Sequence, residues 1–365
     1  MPAARRIITA QPNPQTIIDA ALIEGTAMPT RLVDTPTTTL TTTSSALARS
    51  QQPSSAAQAY AEDSRAYNTK RAYRADWAHF CAWCEQQGVT SLPADPTNVG
   101  DYLSACARGD ASAEPPRPPL TVATLNRRMA AISQAHQLAN YASPTKHEWV
   151  RTVMKGIRRT LGTAQRQVSP AVSEIMRQWV RHLPDSLLGK RDRALLLLGF
   201  AGAFRRSEIA ALDVADVRFV PEGMVITLRR SKTDQEGAGE TKGIPLGTWA
   251  ETCPVRTLKA YLKAAGITEG PLFRPLNRHG TVKPKRLNGS DIAVIIKRSA
   301  EAAGFEPKEY SGHSLRAGFA TAAAAAGASD RAIKKQTGHK SDRVLQRYIR
   351  EGALFRENAA NNLGL

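Results

Sequence analysis

Apolar residues recur three and four apart along most of the chain after residue 57, which predicts amphipathic helices. In the first clear run Tyr73, Trp77, Phe80 and Cys84 fall on one face, with Asn68 as the expected N-cap and Lys70, Arg71 and Arg74 beside the stripe. Residues 121–138 set Leu125, Met129, Ile132 and His136 on one face and turn Asn126, Arg127 and Gln134 away from it. His136, standing inside an apolar stripe, reads as a packed core histidine. Residues 145–161 carry Trp149 and Val153 inward and Arg151, Lys155, Arg158 and Arg159 elsewhere.

The helical pattern breaks at Gly162-Thr-Ala-Gln-Arg-Gln-Val-Ser-Pro170 and resumes beyond it. Residues 191–200 predict a buried helix, Gly202 interrupts it, and 205–212 start another. Residues 224–230 and 242–246 alternate or run apolar around a charged, Gly-rich stretch, which predicts a β-hairpin with a long tip. Helices follow at 254–265, 290–303, 313–326, 330–336 and from 341, with Gly327 and Gly338 placed as C-terminal stops. The expected organisation is an unstructured arm over 1–56, rich in Thr, Ser, Ala, Pro and Gln, then a helical domain over 57–162. A linker at 163–170 and a second domain over 171–365 complete it.

Charge adds a partner to this picture. Lys and Arg outnumber Asp and Glu by 50 to 32 in 365 residues, a net +18. Such an excess favours a polyanion, because each neutralised phosphate releases condensed counterions. Asn and Arg near helix starts suit reading of a DNA major groove, so Lys70, Arg71, Asn126 and Arg127 are the candidates for DNA contact. Four cysteines do not make a disulfide framework in a chain this long, and Cys81 and Cys84, inside a helical run, read as core thiols. No apolar stretch is long enough to span a membrane and no hydrophobic signal region opens the chain, so a cytoplasmic, nucleoid-associated location is expected.

Near the C-terminus stand two imidazoles, a guanidinium and a phenol: His313, Arg316, His339 and Tyr348. Such a set suits phosphodiester chemistry with tyrosine as the nucleophile. Without a metal, that chemistry needs fixed cations for the charge growing on the nonbridging oxygens, and arginine's fork matches two of them. The 5′ oxygen leaves as a strongly basic alkoxide unless an acid protonates it. The attacking phenol needs roughly 4 kcal/mol to ionise at pH 7, so a base or a cationic field must stand beside it. A two-metal nuclease would need clustered carboxylates instead, and the acidic residues here are scattered.

Gly202-Ala-Phe-Arg205-Arg-Ser-Glu208 resembles the first arginine box of the tyrosine recombinases, the phage integrase family. Arg229-Arg-Ser-Lys232-Thr233 resembles that family's hairpin lysine element. Ser311-Gly-His313-Ser-Leu-Arg316, with Gly338-His339 and Tyr348, resembles its second box and nucleophile. The elements occur in the family's order, and the resemblance spans 57–365. Arg206 departs from it, since a hydrophobic residue is usual there. The fold implied is mainly α with a small β element: a helical, SAM-like core-binding domain and a mixed α/β catalytic domain, together a DNA clamp.

The resemblance also implies roles. Tyr348 attacks the scissile phosphate and forms a 3′-phosphotyrosyl bond. Arg205 and Arg316 clamp the nonbridging oxygens, Lys232 is the general acid, His313 assists proton transfer at the tyrosine, and His339 hydrogen-bonds the phosphate. Glu208 orients Arg205. Neither metal nor other cofactor is implied. The implied partners are double-stranded DNA with inverted-repeat sites and three further copies in a tetramer that passes through a Holliday junction. Residues 353–365 are expected as a helix docked on a neighbouring subunit or folded back on their own domain. A type IB topoisomerase-like enzyme and a non-catalytic, sequence-specific DNA-binding protein are the alternatives.

Overall fold

The computed structural model describes residues 67–163, 168–229, 239–339 and 341–353. The arm over 1–56, Lys232 and the C-terminal segment from 354 lie outside the described residues. The chain divides into two compact units, Met1–Gln165 and Arg166–Leu365. The described residues of both are mainly helical, and those of the second hold one small sheet.

The described part of the first unit is built from α1 (Tyr67–Gln87), α2 (Pro96–Arg108), α3 (Val122–Leu138) and α4 (Glu148–Leu161). Their starts follow local chemistry. Asp95 accepts from the Thr97 amide with Pro96 in the first turn of α2, and Thr121 accepts from the Thr124 amide to cap α3. Trp77, Phe80, Tyr102, Leu103, Leu125, Ile132, Val150 and Met154 form the core. His136 is fully buried there: Nδ1 donates to the Ile132 carbonyl (2.8 Å) and Nε2 accepts from the Ala94 amide (2.9 Å). Both nitrogens are satisfied only in the neutral ring, and burial correspondingly lowers its pKa.

Three sequence expectations change here. Asn68 lies inside α1 and does not cap it. In α4 the buried positions are Val150 and Met154, while Trp149 is 47 % exposed, so the inward face is one residue out of register with the one expected. Trp149 lies instead across Gly100 of α2, where a Cβ would meet its indole nitrogen at 2.7 Å. Finally, α2 was not anticipated as a separate helix, although Val99, Tyr102, Leu103 and Cys106 repeat at helical spacing.

The second unit begins with α5 (Ser173–Arg181), α6 (Leu187–Ala201) and α7 (Arg206–Ala211). Strands β1 (Val217–Val220), β2 (Gly223–Leu228) and β3 (Glu240–Pro245) then form an antiparallel sheet in that order, with Val220 opposite Gly223 and Leu228 opposite Glu240. The expected hairpin is therefore β2 and β3; β1, four residues long and joined to β2 through Pro221-Glu222, is an addition. Helices α8 (Pro254–Ala265), α9 (Gly289–Ala302), α10 (Ser314–Ala325), α11 (Asp330–Thr337) and α12 (Asp342–Ala353) complete the unit. Helix α6 runs through the core, with Ala194, Leu195, Leu196 and Leu198 buried. Its Asp192 carboxylate accepts from Arg191 (2.7 Å) and from Arg298 of α9, so the buried charge is balanced. No helix among the described residues is long and apolar enough to cross a membrane.

Two packing details place the elements that carry the predicted site. Gly318 lets α10 press onto the chain at Ala171, where a Cβ would stand 2.1 Å from the Ala171 carbonyl oxygen. Small residues Ala317, Ala320 and Ala324 of α10 then admit Leu345 and Tyr348 of α12 and Ile333 of α11 into one apolar cluster.

Candidate active site

Arg205 stands at the N-cap of α7, immediately after a tight turn that closes α6 at Gly202. Its guanidinium donates to Glu208 Oε1 (2.6 Å) and its own amide donates to Oε2 (2.9 Å), while the Glu208 side chain is 3 % exposed. One buried carboxylate thus fixes both the backbone and the side chain of Arg205. The turn itself uses Ala203 at φ +49, a left-handed conformation that disfavours any residue with a Cβ by about 1 kcal/mol. That conformation turns the Ala203 carbonyl toward Arg316, whose Nη1 donates to it (2.8 Å) across 113 positions.

Arg316 is 1 % exposed, and its Nη2 is buried with no hydrogen-bond partner among the described residues. Burial, then the Arg205 charge, pull its pKa down to about 10; Glu208 and Tyr348 act in the opposite direction. A buried guanidinium with an unused donor is costly unless an anion completes it.

Tyr348 is brought to the same end of α10 by the α10–α12 contact and is itself 6 % exposed. His313, at the N-terminus of α10, places Nε2 3.0 Å from the Tyr348 hydroxyl. The pair stands within hydrogen-bond reach, the distance that proton transfer between an imidazole and a phenol requires. His339 follows Gly338, which ends α11 at φ +60, a conformation suited to glycine. Thr337 Oγ1 donates to the Ile333 carbonyl (2.7 Å), so it accepts from His339 Nδ1–H (2.8 Å) and leaves Nε2 as the unprotonated nitrogen. Burial, reinforced by Arg316, Arg205, His313 and Lys242, lowers the His339 pKa to about 4. Its ring lies 6.1 Å from that of Tyr348.

The structure therefore brings Arg205, Glu208, His313, Arg316, His339 and Tyr348 into one connected group. Lys232, the expected acid, belongs to the segment between β2 and β3 and lies outside the described residues. The group holds a further residue that was not expected, Lys242 of β3, which is 3 % exposed. The signal was present in the sequence, since alternation along β3 puts Lys242 on the same face as the buried Ile244. Among the described residues no cluster of three or more His, Cys, Asp or Glu side chains is placed to hold a metal.

The expected DNA-contact residues all belong to the first unit. Arg71 is exposed and Lys70 half-buried on α1. Arg127 is partly committed, its Nε and Nη2 donating to Asp76 at 2.7 and 3.1 Å. Asn126 Oδ1 accepts from Arg158 Nη2 (3.1 Å). Cys84 is buried in the helical core, which raises its thiol pKa to about 12 and accords with a packing role.

A hydroxyl paired with imidazole beside two fixed guanidinium groups is the apparatus of a tyrosine-based phosphoryl-transfer enzyme. Known proteins place that class more closely. The model of the phage integrase family matches residues 171–353, about half of the chain. An integrase/recombinase xerD homolog from Selenomonas ruminantium is 41 % identical over 83 % of this chain and 87 % of its own. Recombinase cre of Escherichia phage P1 is 26 % identical over 75 % of this chain and 80 % of its own. Among solved structures, the site-specific recombinase XerH bound to palindromic difH substrate in a post-cleavage complex superposes with a TM-score of 0.58. It is 16 % identical and covers 85 % of each chain, a likeness of fold. The chain belongs to the phage integrase family and is a tyrosine recombinase.

Proposed function

We propose that this chain is a site-specific recombinase that cuts and rejoins double-stranded DNA through a 3′-phosphotyrosyl bond at Tyr348. The Tyr348 oxygen gives up its proton to His313 and attacks phosphorus, forming the new P–O bond. The bond to the 5′ oxygen breaks, and that oxygen takes a proton from Lys232. Arg205 and Arg316 hold the two nonbridging oxygens, and His339 hydrogen-bonds one of them once it carries a proton on Nε2. Because the phosphotyrosyl ester conserves the bond energy, a 5′ hydroxyl from a second duplex reverses the step on a new strand without ATP.

The observation that carries this reading is Arg316. Its Nη2 is a buried donor without a partner among the described residues, in a group where Tyr348 already shares a hydrogen bond with His313. A nonbridging phosphate oxygen would satisfy it with a charge-assisted bond. The wider assembly belongs to the same proposal: residues 57–162 and 171–365 act as core-binding and catalytic halves of a clamp joined at 163–170. Four copies on two inverted-repeat sites exchange strands through a Holliday junction. Lys70, Arg71, Asn126 and Arg127 contact the DNA, which lies in the cytoplasm of a bacterium.

The test uses a duplex carrying a binding site selected from random sequence, nicked so that the cleaved end diffuses away. The wild-type chain accumulates a covalent protein–DNA adduct, and Tyr348→Phe binds the site without forming one. Relaxation of supercoiled DNA by a monomer, with no exchange between two sites, would place the chain with topoisomerase-like enzymes instead. Site binding with no adduct from the wild-type chain would make it a non-catalytic DNA-binding protein.

A further inference from the structure

Lys242 carries a buried charge that the reaction steps above do not use. Its ammonium donates to the carbonyls of Gly202 (3.1 Å) and Gln336 (2.6 Å) and lies 5.0 Å from the centre of the Phe204 ring. Gln336 completes a reciprocal set, with Nε2 donating to the carbonyls of Ala201 (2.9 Å) and Gly243 (3.3 Å). Three segments distant in sequence meet at these bonds: the end of α6, strand β3 and the last turn of α11.

A purely structural contact here would not call for a lysine. Replacing a buried ion by a well-packed apolar side chain is often neutral or stabilising, because desolvating the charge costs several kcal/mol. Burial indeed lowers the Lys242 pKa to about 8. The charges around it are Glu240 on its own strand, Glu208 of α7 and Arg205 at its N-cap, and Arg316 of α10, with His339 beyond α11. Each segment that Lys242 holds leads directly to one of the groups proposed to hold the phosphate. Gly202 opens the turn whose Ala203 carbonyl binds Arg316 and whose end carries Arg205. Gln336 lies in the last turn of α11, which Gly338 terminates just before His339.

We infer that Lys242 is a positioning residue for DNA cleavage, fastening the Arg205 turn and the end of α11 to β3 so that Arg205, Arg316 and His339 meet one phosphate together. This rests on the strand-transfer reading above. It assigns Lys242 no contact with DNA and no proton transfer.

The experiment compares single-turnover adduct formation on two nicked substrates, one with the natural scissile phosphate and one with a methylphosphonate there. The methylphosphonate lacks one charged nonbridging oxygen, so it depends less on the arginine clamp. Site affinity is measured separately. Lys242→Met should bind the site within about threefold of wild type but react about 10²-fold more slowly on phosphate, the cost of a displacement on the order of 1 Å. On the methylphosphonate the deficit should fall below about tenfold, as it should for Arg205→Ala. A wild-type rate on phosphate, or the same deficit on both substrates, overturns the inference.

If Lys242→Met does not fold, Gln336→Leu decides the matter. It removes the reciprocal bonds at a half-buried position and should show the same substrate-dependent deficit at about tenfold; a wild-type rate there overturns the inference equally. Failure of the underlying reading looks different: the wild-type chain forms no adduct, or Tyr348→Phe still forms one.

Discussion

Replacing Arg316 by methionine should separate stability from chemistry, because in the DNA-free site the guanidinium is a burden. Burial and the neighbouring Arg205 pull its pKa down to about 10, between two and three pH units. At about 1.4 kcal/mol per unit that is roughly 3 kcal/mol against the charged form. The sign is clear: a base whose folded-state pKa is depressed costs stability at every pH below that pKa, and the cost is relieved only above it. Against this stands the bond from Nη1 to the Ala203 carbonyl (2.8 Å), whose loss leaves a buried acceptor unpaired at a cost of about 1–3 kcal/mol. Methionine fills much of the arginine's length without a charge. The two terms nearly cancel, so a thermal melt without DNA should move by no more than about 4 °C, upward if anything. Adduct formation should nevertheless fall about 10²–10³-fold, the effect of removing one donor from a developing oxyanion. A large drop in melting temperature would refute the view of Arg316 as an uncompensated charge awaiting an anion. An unchanged cleavage rate would refute its place in the clamp.

Further consequences can be checked independently. His339 titrates near pH 4 in the free site because of burial and the surrounding cations, so a bound phosphate that neutralises those cations should raise its pKa. Calorimetry in buffers of different ionisation enthalpy at pH 6 should detect proton uptake on site binding that His339→Gln reduces. Without DNA, the same depressed pKa means the unfolded chain binds the proton first, so stability falls from about pH 6.5 toward pH 4. His339→Gln should flatten that slope in urea melts. Gly318→Ala would drive a Cβ against the Ala171 carbonyl and shift α10; we expect a loss of about 1–3 kcal/mol in stability and slower adduct formation. Arg127→Ala should cost about 1–2 kcal/mol of stability even without DNA, since Asp76 is 5 % exposed and, among the described residues, would keep the longer 3.9 Å ion pair to Arg128 in place of the 2.7 Å one. An unchanged melt would mean that the Arg127–Asp76 pair does not form in solution.

The parts of the site that chemistry constrains were legible before any coordinates. Metal-free phosphodiester cleavage by tyrosine calls for cations, a base and a nucleophile, so His313, Arg316, His339 and Tyr348 stand out by residue type, whereas Arg205 was reachable only through the family resemblance of the segment from Gly202 to Glu208; the structure brings all five together. Helix α3 was legible because Thr121 caps it and its stripe is regular. Expectation failed where side-chain size was a poor guide to direction. Trp149 is large and apolar, yet the close approach of α4 to Gly100 leaves it half-exposed and gives the inward face to Val150 and Met154. Strand β1 was missed because four residues carry too little periodicity, and its pairing with β2 supplies what they lack. The Arg316–Ala203 bond could not be read at all, since it depends on a left-handed alanine 113 positions away. Lys242 was readable by alternation along β3, but an inward-facing lysine there has meaning only once the carbonyls of Gly202 and Gln336 are seen around it.

The proposed reaction joins Tyr348 covalently to DNA. Trapping the wild-type chain on a nicked site, digesting it with protease and nuclease, and sequencing the modified peptide by mass spectrometry tests this most directly. One nucleotide-bearing peptide is expected, with the mass on Tyr348 through the 3′ phosphate and a free 5′ hydroxyl on the released strand. A modified residue other than Tyr348, a linkage through the 5′ phosphate, or cleaved strands with no attached protein would contradict it.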